Sequence, residues 1–244
     1  MINEQDLTDL VTRLKNDAGS NLLSVVLYGS AATGEFHEGH SDLNVLCIVQ
    51  NLGRDDLGKL HAASAWWAKK GHPAPLYFTL DELQHSTDVF TIEWLDIKAA
   101  HRILYGEDVM ASLQIPMDLH RLQVERELRN NTLRLRQHYL RHPADNKKTL
   151  ELMTSSISTF AALFRHALIA LGEEAPPTKR ATVDRVASVL GFDPAPFQTI
   201  FDIREKQKRE RDVDVAATFG AYLDGVSKVT EEVDRRLETP RANG

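Results

Sequence analysis

The chain holds one cysteine, Cys47, set inside an apolar run. A single thiol rules out an intrachain disulfide and any zinc site built on cysteines. Cys47 therefore reads as a small core residue, and a reducing cytoplasm is the expected compartment. Basic charge is also short. The 29 Lys and Arg face 35 Asp and Glu, for a formal net charge of −6. Duplex DNA binders draw most of their affinity from neutralising phosphates, so duplex DNA is not an expected partner. An acidic chain can still hold a nucleotide in a local pocket. No uninterrupted apolar stretch approaches the ~20 residues needed to cross a bilayer. The start, MINEQDLTDL, lacks the apolar centre of a signal peptide, so no membrane partner is expected. No internal repeat is visible.

What is present is enough for a sizeable core. The 244 residues are 42% hydrophobic, which suits one large domain or two modest ones. Leu7, Leu10, Val11 and Leu14 recur at helical spacing, and Gly19-Ser20-Asn21 breaks the helix. Leu22 to Tyr28 and Leu43 to Val49 are short, apolar and rich in β-branched residues, as buried strands are. A polar loop, Gly29 to Ser41, joins them. Residues 54–70 read as a helix with Leu57, Leu60, Ala63 and Trp67 on one side, ended by Gly71-His72-Pro73. Leu76 to Thr79 reads as a third strand, residues 89–100 as a helix, and Arg102 to Gly106 as a short last strand.

Beyond Pro116 the strand signals stop. Helices are expected over 118–142 and 147–171, then two shorter ones divided by Gly191 and Asp193-Pro194-Ala195-Pro196. The last helix carries Val215, Phe219, Tyr222, Val226, Val229 and Val233 at steps of four and three, a bundle seam. The fold class expected is α+β: a small mixed sheet flanked by helices over residues 1–115, then an all-α bundle over 116–240.

One motif carries chemistry. Val25-Val26-Leu27-Tyr28-Gly29-Ser30 ends the first strand, and Ser41-Asp42-Leu43-Asn44-Val45-Leu46 opens the second. Gly29 lets backbone approach a phosphate where a Cβ would collide. Ser30 can donate to phosphate oxygens through amide and hydroxyl, and a helix starting there would add its amides. Asp42 and Asn44, two apart on a strand, would leave the same face.

This pattern resembles the signature of the polymerase β-like nucleotidyltransferases, with aminoglycoside nucleotidyltransferases and small bacterial relatives as the nearest subgroup. The resemblance covers roughly residues 20–110, and Ala31, Gly34 and Ser41 also match it. It implies a nucleotidyltransferase sheet, ATP or another nucleoside triphosphate as donor, Mg²⁺ as cofactor and a small-molecule hydroxyl as acceptor. Gly29 and Ser30 would hold the triphosphate, and Asp42 with Asn44 would be the catalytic, metal-holding pair. The chain departs from the pattern in two places. The second acid is Asn44, whose amide oxygen lacks the charge a hard cation favours. The matching later strand, Pro75 to Thr79, has no acid, although Asp81, Glu82, Glu93 and Asp96 follow it.

Three readings follow: an enzyme that transfers a nucleoside monophosphate to a small molecule, a degenerate relative that binds nucleotide without chemistry, and an interaction protein that forms a homodimer through the 215–237 seam. Among further candidates, Arg126 falls four after Leu122 near the apolar stripe and is the arginine of its helix expected to reach phosphate. His37 and His40 flank the phosphate loop beside Glu35 and Glu38. Arg165 and His166 interrupt an apolar helix, where a buried Arg needs a partner.

Overall fold

The computed structural model describes residues 3–33, 42–143 and 145–238. His37, His40, Glu35 and Glu38 lie outside the described residues, as do Gly34 and Ser41. The chain divides into two compact units, Met1–Met117 and Asp118–Gly244.

In the first unit helix α1 (Glu4–Ala18) starts where the Asn3 side chain accepts the amides of Gln5 and Asp6, and it leads into strand β1 (Leu22–Tyr28). Helix α2 follows β1, and its described residues are Ser30–Thr33. Next come β2 (Asn44–Val49), α3 (Arg54–Lys69), β3 (Leu76–Thr79), α4 (Leu80–His85), α5 (Thr91–Ala99) and β4 (His101–Gly106). The sheet order is β3-β2-β1-β4, with β1 antiparallel to β2 and β4, and β2 parallel to β3.

Alternation along the central strands sorts the core into two layers. Val25 and Leu27 of β1 and Val45, Cys47 and Val49 of β2 bury one face against Leu7, Leu10, Leu14, Leu60, Ala63 and Trp67 of α1 and α3. Val26, Leu46 and Ile48 turn to the opposite face, against Leu83, Trp94, Ile97, Met110 and Leu113. Leu57, expected on the buried side of α3, is half exposed instead, because the stripe that meets the sheet runs through Leu60, Ala63 and Trp67. The four-residue β3 ends in a reciprocal cap: the Thr79 hydroxyl accepts the amide of Glu82, while the Glu82 carboxylate accepts the amide of Thr79. That reciprocal cap starts α4, an element the spacing analysis did not resolve.

The second unit is wholly helical among its described residues. It contains α6 (His120–Arg141), α7 (Asn146–Leu171), α8 (Lys179–Leu190), α9 (Ala195–Arg204) and α10 (Val215–Glu238). Helix α7 runs through its core, burying Met153, Ile157, Phe160, Phe164 and Leu168. An aromatic cluster ties three helices: the Phe197 ring lies tilted 4.5 Å from Tyr222, and Phe160 and Phe164 meet these rings edge-on. The expected seam, Val215 to Val233, is buried within its own bundle. Those residues are consumed by intrachain packing, so the seam is not a dimer surface.

Helix α7 is long and apolar enough to cross a bilayer by length and composition. This differs from the expectation that no apolar stretch is long enough, because polar residues punctuate the helix. Half of its most apolar stretch is buried inside the bundle, which accounts for the composition.

Candidate functional site

The hairpin of β1 and β2 brings the motif together. In its register Tyr28 lies opposite Asn44, and on the other side Tyr28 lies opposite His101 of β4. The row Asn44, Tyr28, His101 therefore crosses three strands at one end of the sheet. Gly29 follows directly, with φ of 78°. A Cβ placed on Gly29 would meet the Asn44 amide nitrogen at 3.2 Å, so the bare glycine is what lets the Asn44 side chain close over the turn. The turn itself is held by the Ala32 amide donating to the Gly29 carbonyl at 2.9 Å.

Strand β2 begins at Asn44, so Asp42 precedes the strand rather than standing on it as the spacing implied. Burial still alternates through this segment. Leu43 and Val45 turn into the layer of α1 and α3, Asn44 is partly exposed, and Asp42 is exposed. A helix does start after Gly29, at Ser30, and its described residues run to Thr33.

His72 was read only as part of a helix stop. It lies beside the motif: its Nδ1 is 3.5 Å from the Leu43 amide, a long contact that accepts from that N–H, and its ring packs 4.5 Å from Trp67. Burial pushes the His72 imidazole below its usual value, while the carboxylates of Asp42 and Asp6 pull it back up. No sequence signal marks it, because the contact spans 29 residues.

His101 and Asp108 were also missed. His101 Nδ1 contacts the Ile97 carbonyl at 3.0 Å and Nε2 contacts Asp108 at 3.1 Å. Asp108 further accepts the amides of Met110 and Ala111. Desolvation acts to raise the Asp108 carboxyl, but these amides and His101 outweigh it and hold the group below its ordinary value. Both ring nitrogens are engaged, so the pair fixes the segment after β4 rather than offering a free base.

Among the described residues, the remaining acids do not complete a metal centre. Glu82 is committed to the cap of α4. Asp81 is exposed beside His85, and Glu93 is exposed on α5. Among the described residues, no group of three or more His, Cys, Asp or Glu stands together to hold a metal. Among the described residues the turn offers one carboxylate and one amide, Asp42 and Asn44, fewer charges than a two-metal centre needs.

Arg126 lies in the second unit, on α6. The buried stripe of α6 is His120, Val124, Leu128, Thr132 and Leu135, while Leu122 is exposed. Arg126 shares that outer side, with its side chain 67% exposed and 3.3 Å from Glu127. The stripe position that recommended it as a phosphate ligand is therefore not there. His166 is fully buried, with its Nδ1 3.0 Å from Nε2 of the equally buried His120.

No family model matches this chain, and no curated protein matches it. Among solved structures, it is similar to spectinomycin adenyltransferase AAD(9) from Enterococcus faecialis, solved with ATP and spectinomycin. The two share 15% identity with a TM-score of 0.57, over 93% of this chain and 100% of that one. At this identity the likeness is one of fold: an α+β nucleotidyltransferase fold followed by a helical region.

Proposed function

We propose that this chain is a nucleotidyltransferase-fold protein that binds a nucleoside triphosphate at the Gly29 turn and has lost most of the machinery for transferring it. The reading rests on one observation. Asn44 closes over the bare Gly29 at the end of the β1–β2 hairpin, beside a single carboxylate, Asp42, with no acidic cluster among the described residues. The turn can admit phosphate oxygens to the backbone amides, and Ser30 is positioned by sequence to donate to them. The triphosphate would arrive with its own Mg²⁺. Asp42 would add one carboxylate ligand and Asn44 one neutral oxygen.

Transfer asks for more. An acceptor hydroxyl must attack the α-phosphorus as the bond to the β-phosphate breaks and pyrophosphate leaves, and its proton needs a base. Removing one group that stabilises developing charge costs roughly 10²–10³ in rate. Asn44 stands where a second carboxylate would be needed, so the expected turnover is slow or nil.

A second reading, an active enzyme acting on a small hydroxylated molecule, draws on the likeness to an adenyltransferase over both units. Titration calorimetry with ATP, with and without Mg²⁺, separates the readings when combined with a pyrophosphate-release assay. Binding without detectable pyrophosphate over hours supports the binder. Release that responds to a panel of small alcohols and aminoglycosides supports the enzyme. Absence of any ATP binding overturns both.

A further inference from the structure

Helix α6 carries two stripes. One is buried in the bundle. The other lies on its opposite side and is built from Leu122, Arg126, Arg129, Leu133, Arg136 and Leu140, at successive steps of four, three, four, three and four. These positions follow a heptad seam, the spacing that keeps one line of side chains facing a partner helix. The three leucines are 54%, 55% and 72% exposed, although a helix that has already buried one stripe has no intrinsic need of a second. The seam runs for ~27 Å at the helical rise per residue.

We propose that this outer face of α6 docks an acidic amphipathic helix of another protein. Charge selects the occupant. Three arginines stand within the seam, in a chain whose formal net charge is −6. Arg129 is partly satisfied by Glu125 and Asp234 on its own unit, and Arg126 leans on its neighbour Glu127 across 3.3 Å. Arg136 reaches the Ser227 hydroxyl across 3.5 Å, with no carboxylate partner among the described residues. A partner helix presenting leucines along its own seam, flanked by Glu and Asp, would cover the leucines and supply carboxylates to Arg126 and Arg136. A second copy of the chain would bring arginines against arginines. An anionic membrane fits less well, because the guanidinium groups alternate with the leucines along the same line. The leucines could not enter the acyl region without dragging these charges in.

The probe is a fluorescently labelled synthetic helix of three heptads, with leucine at the seam positions and glutamate beside them. A scrambled peptide of identical composition is the control. The intact chain should bind the probe and not the control, with affinity falling as salt rises. The double variant Leu133→Ser/Leu140→Ser and the double variant Arg126→Glu/Arg136→Glu should each weaken binding at least tenfold. All these side chains are exposed, so unfolding should not follow; an unchanged circular-dichroism melt checks this. Equal binding of probe and control, or no binding, overturns the proposal. So does a concentration-dependent dimer in sedimentation that either double variant abolishes. Co-sedimentation with phosphatidylserine vesicles in place of peptide binding would assign the face to a membrane and overturn it likewise.

Discussion

Replacing Asn44 by Asp puts a second carboxylate two positions from Asp42, and its consequences can be worked in advance. Asp42 and residue 44 are two positions apart on an extended segment, about 7 Å along the chain. In water two unit charges at that separation repel by about 0.6 kcal/mol. Without Mg²⁺ the variant should therefore melt only a degree or two below the parent. With Mg²⁺ the balance reverses. A new carboxylate charge against a divalent ion at ~2.1 Å is worth roughly 4 kcal/mol even at the dielectric of water. The amide oxygen it replaces already supplies part of that attraction. Counting about half as net gain gives 2 kcal/mol, or roughly thirtyfold in Mg²⁺ affinity. The assay is calorimetric titration of Mg²⁺ into the ATP-saturated chain, for parent and variant. A rise in affinity places Asp42 and residue 44 on one ion. Unchanged affinity in a folded variant would refute the placement of the site at this turn.

Other outcomes are equally concrete. Gly106 adopts φ of 79°, and a Cβ there would fall 1.9 Å from the Leu23 carbonyl oxygen, so Gly106→Ala should cost about 3 kcal/mol or more in urea unfolding; a loss under 1 kcal/mol would contradict the close approach of β4 to β1. Gly29→Ala should leave the melt within a few degrees yet abolish ATP binding in calorimetry, since its Cβ would push on the Asn44 amide at 3.2 Å. Cys47 is fully buried, and burial drives its thiol pKa well above the ordinary range. Its labelling by a thiol reagent at pH 8 should therefore wait on unfolding, and rapid native labelling would show that the sheet core is open. Tyr222 is also fully buried, and burial raises its phenol, with the Ser156 hydroxyl at 3.1 Å opposing the rise. A raised folded pKa stabilises the fold fully below the unfolded value near 10, and that stability is lost as pH climbs above it. Urea midpoints should fall between pH 9.5 and 11, and Tyr222→Phe should flatten the fall.

Much of the order of elements was legible because periodicity survives without tertiary information. The apolar runs around Val25 and Cys47 could only be buried strands, and the steps of α7 and α10 could only be core stripes. Short elements were harder. Helix α4 depends on a reciprocal cap between Thr79 and Glu82, whereas in sequence Glu82 is only one of two acids that follow the third strand. Leu57 and Leu122 satisfy helical spacing as well as their buried neighbours do. Spacing shows that a residue lies on a line; it does not show which of two lines meets the core.

By itself the sequence determined the local rules: which segments pleat, which coil, and where Gly29 must turn. Those follow from side-chain volume, branching and charge at fixed intervals along the chain. The tertiary structure alone decided what gathers at the turn. It set Asn44 over Gly29, brought His72 to the Leu43 amide from 29 residues away, and committed Glu82 and Asp108 to structural bonds. Such meetings depend on how strands register and helices pack, and distances of that kind have no period in the sequence to betray them.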